Sequence, residues 1–275
     1  MKTLIMKRFE SIGAYAHYAQ DTLDKTPQKG SESVEAPSRH EWCLNTTLQE
    51  AVAIGVTGGR WIEGARELQS VDIQAQTAKI AAAISPELVH DVTGGMIDIP
   101  EYLAGQSPEC FLRVDEDEMT AKPVLRIATC VMPCYRITAT AFMNHGRAIL
   151  ALCDALEMLG YAVELIGSDN HVSENNVYTH EITVKSAGQQ WDAASAAFAL
   201  AHPAFGRRIG FRALEFSEGS ALTLAGYGRG SKDNPSDDYD VYFPYLLHNT
   251  EIETPELALD YVVRQFKQQQ PDIGL

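Results

Sequence analysis

The 275-residue chain carries 37 acidic and 22 basic side chains, for a formal charge of −15, and 45% hydrophobic residues. That balance excludes broad electrostatic attraction to a phosphate backbone and leaves only a local basic segment as a route to nucleic acid. No apolar run approaches the ~20 residues that cross a bilayer, and residues 1–20 hold no secretory core, so a cytoplasmic protein without a membrane partner is expected. Five scattered cysteines, Cys43, Cys110, Cys130, Cys134 and Cys153, form no paired framework and fit a reducing compartment. Cys130 and Cys134 are followed by no His or Cys pair, so no metal site is expected from them.

Leu4, Phe9, Ile12, Tyr15 and Tyr18 are spaced loosely along one face of a short helix. Residues 21–39 are polar and rich in Pro, Ser, Glu and Lys. They bury too little apolar surface to offset ordering entropy and read as a flexible linker. Residues 1–40 are therefore expected as an N-terminal helix and linker, and 41–275 as a single α/β domain. Thr47 with Glu50 three residues on has the reciprocal form of a capping box, which predicts a helix from Leu48. An alanine-rich stretch from Asp72 to Ile84, ended by Pro86, predicts another. Gly94-Gly95 reads as a turn between two short extended pieces, and Pro100 as the first residue of a short helix closed by Gly105. The acidic run Asp115 to Glu118 reads as a solvated loop. Residues 41–120 thus make a helical part ahead of a core in 121–275.

Within that core, Val124 to Val131 is apolar and β-branched, bounded by Pro123 and Pro133, as a buried strand requires. Phe142, Ile149, Leu152, Leu156 and Leu159 then recur at helical steps, and Gly160 stands where a left-handed cap is wanted. Ala162 to Ile166 supplies a second strand. Strand, crossover helix and strand make a βαβ unit with a parallel pair. Asn170 to Asn176 reads as a polar loop and Val177 to Lys185 as a strand. Trp191 to Ala201 and Pro203 to Glu215 read as helical pieces, and residues 217–238 as a Gly-rich loop. Val241 to Leu247 should be a last strand. Thr254 as N-cap and Pro255 at N1 open a C-terminal helix through Phe266. The fold class is α/β: a small mixed, partly parallel sheet containing the βαβ unit, with helices packed on it and a helical N-terminal part.

Open α/β sheets bind ligands at the carboxyl ends of their strands, which directs attention to the loop after the first core strand. It reads MPCYRITATA and has no glycine, so no dinucleotide fingerprint or phosphate loop forms there. It lacks the Asp-x-Ser-x-Ser of an integrin-type A domain, although the strand–helix–strand outline is similar. Arg136 is a candidate anion ligand beside a helix start, with a surface ion pair as the ordinary alternative. Cys134 is a candidate nucleophile, with a buried structural thiol as the commoner fate. Asn144, His145, Gly146 and Arg147 form a polar island in an apolar helix. His145 and Arg147 line either a pocket or partner surface, or a solvated face. Gly146 costs about 1 kcal/mol against Ala in a helix, so it implies close packing or a kink. Asp169, Asn170 and His171 follow the second strand, and with His180 on the next strand the carboxylate and two histidines form a minimal metal or acid–base set. Arg207, Arg208 and Arg212 are the densest basic cluster. With His202, Phe205 and Phe211 they suit gripping phosphates and stacking a base, or simply neutralising the chain's own carboxylates.

Three segments, DVTGGMIDIPEYLAGQSPEC, NHGRAILALCDALEMLGYAVELIG and HPAFGRRIGFRALE, together resemble an uncharacterised family found in tailed phages and actinobacteria. The resemblance covers about Trp42 to Phe266. It implies a phage or phage-derived protein at work in a bacterial cytoplasm, and it carries no catalytic residue or cofactor with it. The leading expectation is a non-catalytic accessory protein that acts through protein contacts, in phage DNA metabolism or takeover of the host, with self-association also open. One alternative is a nucleotide or nucleic-acid processing enzyme using Asp169, His171 and His180. Another is a single-strand binding module using Arg207, Arg208 and Arg212.

Overall fold

A computed structural model describes residues 3–26, 40–68, 71–84, 89–91, 96–97, 111–113, 123–172, 176–190, 192–217, 236–244, 246, 248–271 and 273. Its strands in chain order are β1 (Thr3–Phe9), β2 (Val89–Asp91), β3 (Met96–Ile97), β4 (Phe111–Arg113), β5 (Val124–Cys130), β6 (Ala162–Val172), β7 (Asn176–Lys185) and β8 (Val241–Phe243). β2, β4 and β3 make a small antiparallel sheet, which supplies the two extended pieces expected around Gly94-Gly95. The expected short helix at Pro100, the acidic run Asp115 to Glu118, residues 27–39 of the expected linker and residues 218–235 of the expected Gly-rich loop lie outside the described residues.

The main sheet has the order β1-β7-β6-β5-β8. β5 pairs in parallel with β6 on one side and with β8 on the other. The 20-residue helix Ala139–Met158 joins β5 to β6, so the βαβ unit is present and the class is α/β. Thr138 caps this helix by accepting from the Ala141 N–H at 3.2 Å, and Gly160 ends the turn beyond it at φ 95°. β7 returns antiparallel to β6, and β1 lies parallel to β7. The sheet is therefore mixed.

Two sequence expectations are corrected here. Residues 3–9 are a strand, with helix only from Ile12 to Gln20, where Ser11 accepts from the Ala14 N–H. The seven residues TLIMKRF find a ladder along β7, and a chain segment paired at every residue from Thr3 to Phe9 satisfies its backbone better than an isolated turn of helix. Asp169, Asn170 and His171 are also not in a loop, because β6 runs on to Val172 against β7.

The helix Ala139–Met158 explains its own composition. Fourteen of its residues are buried, because it lies on the sheet and also touches the helices Val71–Ile84, Ala193–Ala201 and Pro255–Gln269. Each fully buried Leu, Ile or Phe on it contributes roughly 1.5–3 kcal/mol. A Cβ on Gly146 would stand 2.3 Å from the Leu200 carbonyl oxygen, so this glycine marks a close helix crossing. Local signals elsewhere give the elements they announce. Thr47 and Glu50 form the capping box of the helix Leu48–Val56, and Thr254 caps Pro255–Gln269 with Pro255 in its first turn.

Candidate functional site

The expected site residues divide into those the fold spends internally and those it brings to a surface. Arg207, Arg208 and Arg212 are 0%, 0% and 2% exposed, which corrects their reading as a contact surface. They lie on a π-helical segment, Phe205–Gly210, and the short helix Phe211–Glu215 that continues it. Arg207 donates to the carbonyls of Trp42, Cys134 and Ile137, each at 2.7 Å. Arg208 Nε donates to Thr46 O at 3.1 Å, and both guanidinium groups face the Trp42 ring. Arg212 donates to Thr22 and Lys25 and pairs with Glu215. The cluster is a hub that ties Thr22, Lys25, Trp42, Thr46 and the loop after β5 to the core. Its guanidinium groups donate to main-chain carbonyl oxygens, with the Glu215 carboxylate also pairing with Arg212.

His145 is likewise buried rather than lining a pocket. It sits between the rings of Phe243 and Tyr261, and burial pushes its pKa down to about 4. Arg147 on the same helix is half-buried. Arg136 is exposed, with its Nε donating to the Tyr135 hydroxyl at 2.8 Å across an equally exposed ring. Beyond the end of β5 the Cys134 N–H donates to Leu246 O at 3.2 Å. Cys134 itself is buried.

Asp169 and His180 do meet. They are direct cross-strand partners in the β6–β7 ladder, so their side chains share one face. The bond between them runs through a residue that the sequence reading placed only in a packing stripe. The Tyr15 hydroxyl donates to Asp169 Oδ2 at 2.8 Å and lies 3.2 Å from His180 Nδ1, while Oδ2 and Nδ1 stand 3.7 Å apart. On its other side His180 Nε2 is 3.0 Å from the Ser217 hydroxyl, which also donates to Ala213 O at 2.8 Å. Burial and the Asp169 carboxylate hold the Tyr15 pKa well above its ordinary value, so its proton stays on at neutral pH. Gly210 lets the π-helical segment pass over this group, because a Cβ there would already be 3.1 Å from Asp169 Oδ2.

His171 lies on the same face, two residues beyond Asp169. Among the described residues neither of its ring nitrogens has a hydrogen-bond partner, and neither does Asp169 Oδ1. Burial pulls the His171 pKa down, with Asp169 opposing. Among the described residues no group of three His, Cys, Asp or Glu side chains is placed to hold a metal ion.

The opposite face of β6 and β7 carries a separate polar network. Glu181 accepts from the Tyr239 hydroxyl and from Arg8 Nε at 2.6 Å, and Asn170 bridges Ser168 to Tyr242. Tyr239 and Tyr242 stack with centroids 6.1 Å apart. These partners satisfy one another, as a structural network should.

An open cleft of about 420 Å³ lies beside the His180 group, lined by Ile5, Met6, Lys7, Tyr18, Tyr178, His180, Phe216 and Ser217. The site is therefore assembled from the first strand and helix, the β6–β7 pair and the end of the helix Phe211–Glu215. A family model for a domain of unknown function, DUF7192, matches residues 2–270. The chain belongs to the DUF7192 family. The match takes in Tyr15, Asp169, His180 and Ser217 alike, so the cleft of this DUF7192 chain lies within the matched residues. No curated protein and no solved structure matches the chain. No helix among the described residues is long and apolar enough to cross a membrane.

Proposed function

We propose that the chain is an accessory protein that acts by docking an extended segment of a protein partner along β1. The observation that carries this reading is the state of that strand. β1 is seven residues long, lies at one end of the sheet order, and presents Leu4 and Ile5 at 45% and 40% exposure. Among the described residues its outer row of N–H and C=O groups has no strand partner. Such an edge is a template for strand addition, with backbone bonds giving affinity and neighbouring pockets giving selectivity. The cleft beside Ile5, Met6 and Lys7 supplies a pocket. The resemblance to tailed-phage proteins sets the proposed context: the bacterial cytoplasm, in phage DNA metabolism or host takeover.

The test compares tagged wild type with Ile5→Lys in nuclease-treated lysate of phage-infected cells. Ile5 is partly exposed, so the substitution changes stability by about 0.5 kcal/mol or less. A stoichiometric protein recovered by wild type and lost with Ile5→Lys supports the reading. Equal recovery by both proteins, or recovery that vanishes with nuclease, defeats it.

A second reading, an enzyme working at Asp169 and His180, is favoured by the Tyr15-bridged pair at the cleft wall. Nucleic-acid chemistry is the weaker form of it, because the arginine cluster that would hold phosphates is buried.

A further inference from the structure

We propose that Ser217 and His180 are a nucleophile and general base for acyl transfer from small esters, an activity in the cleft that adjoins β1 and one that does not require docking on that strand. The geometry has the form such chemistry needs: a hydroxyl within reach of a base, and a base oriented from behind. Ser217 Oγ lies 3.0 Å from His180 Nε2, and His180 Nδ1 lies 3.2 Å from Tyr15, which in turn donates to Asp169 at 2.8 Å. Tyr15 has one proton and gives it to the nearer acceptor, Asp169. In the tautomer whose Nδ1–H donates to the Tyr15 oxygen, Nε2 is left bare. That is the tautomer a general base requires. Ser217 stands two residues beyond the helix Phe211–Glu215, its hydroxyl donating to Ala213 O at 2.8 Å and lying 3.0 Å from His180 Nε2, so rotation about one bond directs the proton to Nε2. Tyr15 and Asp169 are positioning residues in this scheme. His180 and Ser217 face the cleft.

The cleft also selects the ester. Tyr18, Tyr178, Phe216, Ile5 and Met6 offer apolar and aromatic surface, and Lys7 Nζ rests 3.6 Å from the Tyr18 ring centroid as the one Lys or Arg among the described residues lining it. A short aliphatic or aromatic acyl group with a nearby anionic group fits that lining. In the reaction, the Ser217 proton moves to Nε2 as the Oγ–acyl bond forms. The imidazolium then returns it to the leaving oxygen as the ester C–O bond breaks. Water next attacks the acyl-Ser217 ester and gives up a proton to Nε2. The carboxylic acid leaves, and the serine oxygen takes the proton back.

The test uses the full chain with an alkyl fluorophosphonate probe and, separately, with p-nitrophenyl butyrate. The expected result is a single adduct mapped to Ser217 by mass spectrometry, together with p-nitrophenolate release. Both should be absent from Ser217→Ala, and slowed about 100-fold or more in His180→Gln. Tyr15→Phe should still label, with the pH midpoint of labelling displaced. Ser217→Ala removes only a half-buried hydroxyl, so it decides the matter even where His180→Gln folds poorly. Wild type without a Ser217 adduct, or equal ester turnover by Ser217→Ala, overturns the proposal. Partner recovery through β1 is measured independently and is unaffected by either outcome.

Discussion

Arg207 Nη2 donates at 2.7 Å to the main-chain carbonyls of both Cys134 and Ile137, so one buried guanidinium holds the loop at the carboxyl end of β5. The same group reaches Trp42 O through Nη1. In a parallel α/β sheet that loop is where ligands usually enter, and here a cation from the chain itself occupies the space beneath it.

Replacing Arg207 with Met should therefore destabilise the fold rather than weaken a ligand. Trp42 O and Ile137 O lose this donor, while Cys134 O keeps the Ile137 N–H at 3.0 Å, and each unsatisfied buried group costs roughly 1–3 kcal/mol. A loss of about 3 kcal/mol or more in urea unfolding is expected. Arg207→Lys should recover little of it, because an ammonium cannot reproduce a fork that spans separate carbonyls. A change below about 1 kcal/mol in Arg207→Met would show that the hub is dispensable.

Two glycines should respond differently to alanine. A Cβ on Gly206 would lie 2.2 Å from the Val131 carbonyl oxygen, backbone against backbone, with no flexible side chain to give way. Gly206→Ala should cost about 3 kcal/mol or more, or prevent folding. Gly58 has φ 84° and open space around its Cβ position, so Gly58→Ala pays only for the left-handed backbone, about 1–2 kcal/mol. Thermal melts of the two variants measure the contrast, and similar losses would refute it.

Acid sensitivity should come from buried neutral histidines. Burial lowers the pKa of both His145 and His202 to about 4. His145 is faced by Phe243 and Tyr261, and His202 by Trp61 and Phe198, so no carboxylate in these ring contacts favours the charged form. In the unfolded chain each titrates near ~6.5. The unfolded state thus binds more protons between those values. The stability these residues confer is complete above about pH 6.5 and falls as pH drops toward 4. The slope is at most ~1.4 kcal/mol per pH unit for each histidine. His145→Gln should remove about half of the two histidines' combined slope, read as the pH dependence of the urea midpoint. An unchanged slope would place the acid response elsewhere.

Strand β1 shows why part of the fold was hidden from a linear reading. Leu4, Phe9, Ile12, Tyr15 and Tyr18 mix a strand and a helix, and their combined spacing imitates one loose helical stripe. A period-two pattern of only seven residues has little power against that background. The site was half legible for a similar reason. Asp169 and His180 could be placed near one another because a short connection between neighbouring strands brings them opposite. Tyr15 and Ser217 could not, since they are 165 and 37 residues from His180 along the chain.

What the sequence alone determined is whatever depends on neighbours within a turn or two. Thr47 with Glu50, Thr254 with Pro255, the left-handed Gly160 and the apolar spacing of Phe142 to Leu156 act over three or four residues, and each produced its helix or cap. The βαβ unit follows from those local signals because a parallel pair needs a crossover. The tertiary structure alone decided which polar groups are inside. Arg207, Arg208 and Arg212 look like a binding face when read in line, yet they are buried because the carbonyls of Thr22, Lys25, Trp42, Thr46, Cys134 and Ile137 converge on them. A charge is worth burying only where enough acceptors arrive from elsewhere in the chain, and no local pattern records their arrival.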